Sequence, residues 1–353
     1  MTPAATIDTA GRMDLLFDDC GLIVNEESGT NTHHLITGLG LELTQRFLMN
    51  PRVSRALLTG LVLFLSAMAA SGQELTPRAY WPAPKGTQIV LIGYNYSTGD
   101  VVTDPSLPVI GVDSKIHLGL VGYLRTVNLF GRTANFLVEL PYSGGETKGL
   151  LAGDDANREF SGIADMTVTV WVNLIGAPSM NVEEFQELRQ NPHQILGGSL
   201  RLVIPTGDYD PQKLINVGAN RWAIKGELGY MIPLRKKWLL EFDLGLWLIG
   251  DNDDFFGGVT RKQDPIVSAQ AHLVKRIRPG FWGALDFNYY LGGRSTVGTE
   301  LRADLQRNSR LGGTLAFPFR KRNLVKVSYS TGVVTESGGD YDMLLLSYSR
   351  VLK

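Results

Sequence analysis

A long period-two alternation constrains this chain more than any other feature. From Trp238 to Leu248 the even positions are all large and apolar, while the odd positions include Glu241 and Asp243. Successive side chains of a strand face opposite sides, so one face of this segment is greasy and the other carries charge. The split recurs. Ile116, Leu118, Leu120 and Leu124 oppose Lys115, His117, Tyr123 and Arg125; Met166, Val168, Val170, Val172 and Leu174 oppose Asp165, Thr167, Thr169 and Asn173. Trp222, Ile224, Leu228 and Tyr230 oppose Arg221, Lys225 and Glu227; Phe281, Leu285, Phe287 and Tyr289 oppose Asp286 and Asn288. Strands of soluble sandwiches commonly run about five or six residues. These run nearer the roughly nine to eleven residues that cross a bilayer at a tilt.

Segments of this kind fall near 87–98, 113–127, 132–145, 162–175, 196–206, 219–233, 237–250, 265–277, 280–292, 308–319, 323–334 and 341–352. The count is even, as single-chain bacterial barrels require when both termini lie on one side. The expected fold is all-β: a transmembrane antiparallel up-and-down β-barrel of about 12 strands. Connection lengths give it an orientation. Leu129-Phe130-Gly131, Leu234-Arg235-Lys236, Arg278-Pro279 and Arg320-Lys321-Arg322 are short and fall on the periplasmic side; the stretches around 100–112, 145–161, 207–218, 251–264 and 293–307 are longer and rich in Gly and acids. One link breaks the rule. Pro178 to His193 is long yet periplasmic, and its Val182–Arg189 portion reads as a helical turn or two that could be a lid, a plug or a polar connector, the connector being preferred.

Composition agrees with many strands joined by turns and edged with aromatics: 40 Gly, 12 Tyr, 14 Phe and 6 Trp. With Lys+Arg at 34 against Asp+Glu at 35 there is no basic surplus to neutralise phosphates, so nucleic acid is not an expected partner. The single Cys20 excludes an internal disulfide or a CxxC pair.

The one continuous apolar run, Ala56 to Ala70, is short for a spanning helix of about twenty residues but fits the core of a secretory signal. Arg52 and Arg55 precede it, and Ala70-Ser71-Gly72 offers a cleavage site before Gln73. Met49 as the true start is the first reading of residues 1–48, a cytoplasmic extension the second, and a helical anchor with a cytoplasmic tail the third. The expected organisation is therefore 1–48 outside the mature protein, 49–72 signal peptide, 73–86 a short periplasmic segment, and 87–353 the barrel.

Pro205-Thr206-Gly207-Asp208-Tyr209-Asp210-Pro211, followed by Asn216-Val217-Gly218-Ala219-Asn220-Arg221-Trp222, resembles the MetA-pathway of phenol degradation family of bacterial outer-membrane proteins, as do Arg78-Ala79-Tyr80-Trp81-Pro82 and Gly250-Asp251-Asn252-Asp253-Asp254-Phe255. The resemblance runs from about Gln73 to the end. It implies a Gram-negative outer-membrane barrel of transporter type, with a role in taking up aromatic or other hydrophobic compounds and no catalytic residues to carry over. The chain ends on Tyr348-Ser349-Arg350-Val351-Leu352-Lys353 without the terminal aromatic common in barrels.

The candidate lumen set is Lys115, His117, Arg125, Glu139, Asp165, Arg201, Arg221, Lys225, Glu227, Glu241, Asp243, His272, Arg276, Asp286, Arg310 and Lys326. Such charges either pair with one another or line an aqueous path. Tyr209, Asp210, Asn220 and Trp222 are the candidate mouth or ligand residues; Tyr and Trp there also suit an interface girdle. His117, His193 and His272 sit in no GxSxG or HExxH spacing, so an outer-membrane lipid-modifying enzyme is a distant alternative to a passive channel for small solutes and to a sealed structural or surface-binding barrel. Asp251, Asp253 and Asp254 lack the Gly and distal Glu of a calcium loop. No metal or cofactor is expected; outer-membrane lipids, the barrel-assembly machinery and a small solute are the expected partners.

Overall fold

Backbone pairing closes on itself. The computed structural model describes residues 77–100, 109–151, 154–235, 237–336 and 340–352; the expected signal over 49–72 and the stretch 1–48 lie outside the described residues. In chain order the elements are β1 (Gln88–Gly99), β2 (Val109–Leu129), β3 (Arg132–Leu151), β4 (Asp154–Ile163), β5 (Met166–Ile175), helix α1 (Val182–Gln190), β6 (Ile195–Ile204), β7 (Ala223–Pro233) and β8 (Trp238–Ile249). They continue with β9 (Asn252–Phe255), β10 (Val259–Gln263), β11 (Ile266–Arg278), β12 (Phe281–Gly292), β13 (Ser295–Val297), β14 (Glu300–Leu301), β15 (Gln306–Pro318), β16 (Asn323–Val334) and β17 (Tyr341–Val351). Strands β1, β2, β3, β5, β6, β7, β8, β11, β12, β15, β16 and β17 pair antiparallel in that order, and β17 returns to β1 over Ile89↔Val351 to Gly99↔Tyr341. The result is a closed 12-stranded meander with no open edge. Closure is what lipid demands, because an unpaired backbone group in hydrocarbon costs several kcal/mol.

The outer wall carries the greasy half of the alternation: Leu140, Leu200, Leu228, Leu244, Leu285 and Leu311 are all more than half exposed. At one end the hairpins are short. Phe130 (φ 50) and Gly131 (φ 81) form a two-residue turn between Leu129 and Arg132, with both residues in the left-handed region that a type I′ hairpin requires. Asn128 Oδ1 accepts the Gly131 N–H at 2.8 Å and fixes it.

At the other end several stretches that read as loops are ordered β-structure. β3 runs on to Leu151 and pairs with β4 from Tyr142↔Ile163 to Leu151↔Asp154, so the segment expected as one strand over 162–175 is broken at Ala164-Asp165 into β4 and β5. Beyond the Tyr142↔Ile163 pair at its base, the described side chains of this hairpin are mostly polar. Glu146 pairs with Lys148 at 2.8 Å and accepts from Asn157 at 2.8 Å, a pattern of polar side chains that carries no strand signal in sequence. Loops 251–264 and 293–307 likewise combine into a four-stranded sheet, β14-β13-β10-β9. Inside it the Arg261 guanidinium lies 5.8 Å from the Phe255 ring centroid, and Ser295 donates to Asp304 through both its backbone N–H and its hydroxyl.

The connector reading of Pro178–His193 is corrected by α1. Asn181 and Glu184 form a reciprocal capping box: Glu184 N–H donates to Asn181 Oδ1 at 2.9 Å, and Asn181 N–H donates to Glu184 Oε2 at 2.7 Å. Acidic Glu183 and Glu184 in the first turn and Arg189 in the last complement the helix dipole. Its apolar face is buried. Phe185 and Leu188 pack in one cluster with Met231, Leu239, Val274, Trp282 and Ala316, inward residues of five different strands. The helix therefore works as a plug at the short-turn end. Arg276 Nη1 donates to the Arg189 carbonyl at 2.8 Å, placing a cation on the helix C-terminus. Burial, and next the charge of Arg276, lower the pKa of Arg189 to about 10.

Phe185→Ala is expected to destabilise the folded barrel by about 3 kcal/mol, the usual cost of a large-to-small change in a packed cluster, whereas Glu187→Ala on the outer face of the same helix shifts stability by less than about 0.5 kcal/mol. Reversible denaturant unfolding in lipid vesicles reads both; equal effects would remove the helix from the plug.

Candidate functional site

The chain ahead of β1 enters the bore. Tyr80 and Trp81 lie inside the wall, and Asn173 Nδ2 donates to the Tyr80 carbonyl at 2.7 Å. The Tyr80 ring fills a slot made by two glycines placed opposite each other, Gly197 on β6 and Gly229 on β7. A Cβ on either would stand 2.0 Å from a Tyr80 ring carbon, so only glycine leaves room for the ring. The Tyr80 hydroxyl donates to Glu227 Oε1 at 3.1 Å and lies 3.2 Å from Ser199 Oγ, whose hydroxyl can donate to it. Burial, and next the Glu227 charge, raise its pKa above the ordinary tyrosine value, so the hydroxyl stays protonated and can donate. The Arg78 N–H donates to Glu241 Oε2 at 2.6 Å, and its guanidinium lies 4.5 Å from the Trp81 ring centroid and 5.2 Å from that of Trp282. The described part of the segment expected to be simply periplasmic, residues 77–86, is thus anchored to the interior.

The bore has two kinds of wall. Along β6, β7, β8, β11 and β12 the inward side chains are charged and mutually engaged. Lys225 pairs with Glu227 at 2.6 Å, and Gln270 donates to Glu227 at 3.4 Å. His272 is fully buried, with Nδ1 at 2.7 Å from Asp286 Oδ1 and Nε2 at 3.7 Å from Asp243 Oδ2. Asp286 Oδ2 also accepts from Thr314 at 2.6 Å, and Thr314 reaches Ser328 at 2.9 Å. Buried charges persist only when their partners are in place, and this arc supplies them. At its margin, Arg201 meets Glu139 at 3.2 Å, and Glu139 accepts from Thr167 at 2.9 Å. The opposite arc, on β17, β1, β2 and β3, presents Leu345, Leu91, Leu120, Leu124 and Leu137 inward. Between the two arcs, beside the Pro77–Pro84 segment, lies a cavity of about 480 Å³. Its rim also carries Trp171, Trp282 and Lys326.

Of the residues singled out in sequence, Glu139, Arg201, Lys225, Glu227, Glu241, Asp243, His272, Asp286, Arg310 and Lys326 point into the barrel. Arg310 is fully buried, stacks 3.8 Å from the Tyr341 ring centroid and donates to Ser330 Oγ at 2.9 Å. Arg276 lies at the plug. Lys115, His117 and Arg125 are corrected: all three stand exposed on the outer face of β2, while Leu120 and Leu124 face inward. The inner face of this arc is itself apolar, so polarity pointed to the wrong side, and a reading out of phase by one residue inverts a whole strand. The outer polar residues sit near the ends of the span. His117 Nδ1 lies 2.7 Å from the Tyr94 hydroxyl toward the loop end, and Arg125 pairs with Gln88 toward the short-turn end.

Asp165 and Arg221 belong to a strap at the loop end, not to the bore. Asp165 Oδ1 accepts the Gly207 N–H at 2.9 Å and its Oδ2 the Ala219 N–H at 2.8 Å; Arg221 donates to Gln263 at 2.7 Å. Asp208 Oδ2 accepts the Ile163 N–H at 2.8 Å, and Gly207 and Gly218 approach so closely that a Cβ on Gly207 would stand 2.8 Å from the Gly218 Cα. The mouth candidates serve this strap. Asn252 Nδ2 donates to the Tyr209 hydroxyl at 3.0 Å, Asn220 Nδ2 donates to Asn252 Oδ1 at 3.0 Å, and Asp210 accepts the Gln212 N–H at 3.0 Å. Trp222 is exposed and in phase with the outward face. Among the described residues no group of three or more His, Cys, Asp or Glu is arranged to hold a metal ion.

The family model for the MetA-pathway of phenol degradation matches residues 93–339, most of the chain and all but the edges of the barrel. The chain belongs to this family. Among solved structures, an outer membrane channel from Pseudomonas putida F1 is similar at 23% identity and TM-score 0.65, over 79% of this chain and 100% of that one. The β domain of the Bordetella autotransporter BrkA follows at 12% identity and TM-score 0.44, over 75% and 98%. The Ralstonia pickettii toluene transporter TbuX stands at 8% identity and TM-score 0.40, over 76% and 90%. No curated protein matches. The family motif around Pro205–Trp222 is accounted for by the strap, and Arg78–Pro82 by the segment inside the bore.

Gly229→Val is expected to push the Tyr80 ring from its slot and free the Pro77–Pro84 segment. Trypsin applied to the refolded barrel should then cleave after Arg78 at least tenfold faster than in the unaltered chain, with the barrel core intact by mass spectrometry. An unchanged cleavage rate would mean that the slot does not hold the segment.

Proposed function

We propose that this family member is an outer-membrane transporter that passes small hydrophobic or aromatic compounds by passive diffusion along its bore. One observation carries the reading: a cavity of about 480 Å³ lies inside a lipid-spanning barrel, and one of its walls is made of inward leucines. A bore that only sealed itself with ion pairs would not need that wall. Leucine and tryptophan side chains offer an apolar solute a place to shed water, at about 25 cal/mol for each Å² of apolar surface buried, and the volume lies in the range of small-molecule sites. Passive diffusion needs no energy source. Pores and transporters of this general architecture keep a polar interior and a greasy exterior; here part of the interior is greasy as well, which favours solutes with an apolar body over sugars or hydrated inorganic ions.

A second reading is a non-transporting barrel that binds through its outer loops. The cluster of Phe185, Leu188, Met231, Leu239 and Val274 at the short-turn end supports it, because these side chains fill the space that a wide pore would leave open. Conduction separates the two. In planar bilayers the transporter reading expects a small ion conductance that millimolar aromatic solute reduces. Silent bilayers, together with liposomes that remain tight to neutral, charged and aromatic solutes, would overturn it. If Ala at Glu241 and Asp243 alters conductance while deletion within 251–264 changes nothing, the loop-binding reading fails instead.

A further inference from the structure

The charges around the cavity do not balance. Four cationic side chains line it, Arg78, Arg201, Lys225 and Lys326, against two carboxylates, Glu139 and Glu227. Arg201 is paired with Glu139 and Lys225 with Glu227. Arg78 has its guanidinium against two indole rings. Lys326 on β16 is different: its ammonium makes no hydrogen bond or ion pair with any described residue. The acids that act on it electrostatically are Asp286 and Glu139. Both are already engaged, Asp286 by His272 and Thr314 and Glu139 by Arg201 and Thr167. An ammonium inside a barrel with no counter-charge in direct contact is costly unless water or an anion completes it. Its surroundings restrict which anion that is. The leucine wall of β1 and β2 lines the same cavity, so a fully hydrated inorganic ion would leave that wall uncovered.

We propose that Lys326 binds the carboxylate of a small organic monoanion whose apolar body lies on the Leu91, Leu120 and Leu124 wall, so that the cavity takes aromatic or short aliphatic carboxylates in preference to their neutral counterparts. The proposal rests on the reading of this bore as a solute path and names the class of solute. A lysine suits the task as a compact point charge on a flexible stem, able to meet a carboxylate without fixed geometry. The single unpaired charge sets the preference for a monoanion; a second carboxylate would have to lie against leucine.

The test uses the full chain refolded in detergent micelles, with sodium benzoate and benzyl alcohol as paired probes in titration calorimetry. The unaltered protein is expected to bind benzoate at least tenfold more tightly than benzyl alcohol. Lys326→Met should weaken benzoate at least tenfold and change benzyl alcohol by less than twofold, and Lys326→Arg should keep benzoate within about threefold of the original. Far-UV circular dichroism and the heat-dependent shift in gel mobility establish that each variant is folded. Equal affinity for the two probes, or benzoate binding that survives Lys326→Met, overturns the carboxylate site and leaves the passage of neutral aromatics standing. Failure of both probes to bind also overturns it, and the bilayer conductance then decides whether the transporter reading falls too.

Discussion

Every other feature of this molecule depends on the ring of backbone hydrogen bonds. In hydrocarbon a strand edge has no water to turn to, so the sheet must close, and here the pairing of β1 with β17 completes the ring. Closure then creates a second problem inside. Twelve strands enclose more space than their own side chains fill unless something enters, and the chain answers with its own residues: Tyr80 and Trp81 from ahead of β1, Phe185 and Leu188 from α1, and a set of paired charges between them. What is left is a cavity bounded by greasy and charged walls, not a water-filled tube.

The two halves of the interior are stabilised differently. On the charged side each ionised group depends on its neighbour. Removing one partner leaves a buried charge uncompensated, at a cost of about 3–5 kcal/mol, so the Lys225, Glu227, Tyr80 and Ser199 network and the His272, Asp286 and Thr314 network each behave as a unit. On the leucine side Leu345, Leu91, Leu120, Leu124 and Leu137 need no partner, and the wall they form suits an apolar guest. A solute that touches both sides must itself be amphipathic or apolar.

Much of this was legible in the sequence. Strands β7, β8, β11 and β12 carry charge on one face and large apolar groups on the other, so their direction could be read directly, and the long-short rhythm of the connections separated the two ends. The legibility failed where the contrast failed. On β2 the inner face is apolar and the outer face carries Lys115, His117 and Arg125, the reverse of the strands opposite, so Leu120 and Leu124 read as lipid-facing and the three polar residues as internal. Past Tyr142 and Ile163 the β3–β4 hairpin sets polar residues such as Glu146, Lys148, Asn157 and Glu159 on its strands, which looks like a loop. The Tyr80 slot gave no signal, because its walls are absences of side chain at Gly197 and Gly229. A strand with hydrophobic residues on both faces, such as Ile89 to Tyr94, was the available hint that one arc of the interior is apolar.

The orientation of that arc can be measured directly. A nitroxide attached at Leu120→Cys and, separately, at Val121→Cys, in the barrel reconstituted in lipid, reports whether each side chain meets hydrocarbon-dissolved oxygen or a water-soluble nickel chelate. An inward Leu120 predicts low oxygen collision at 120 and high oxygen collision at 121. High oxygen collision at 120 with low collision at 121 would turn the strand over, put Lys115, His117 and Arg125 in the bore, and remove the leucine wall on which the proposed solute passage depends.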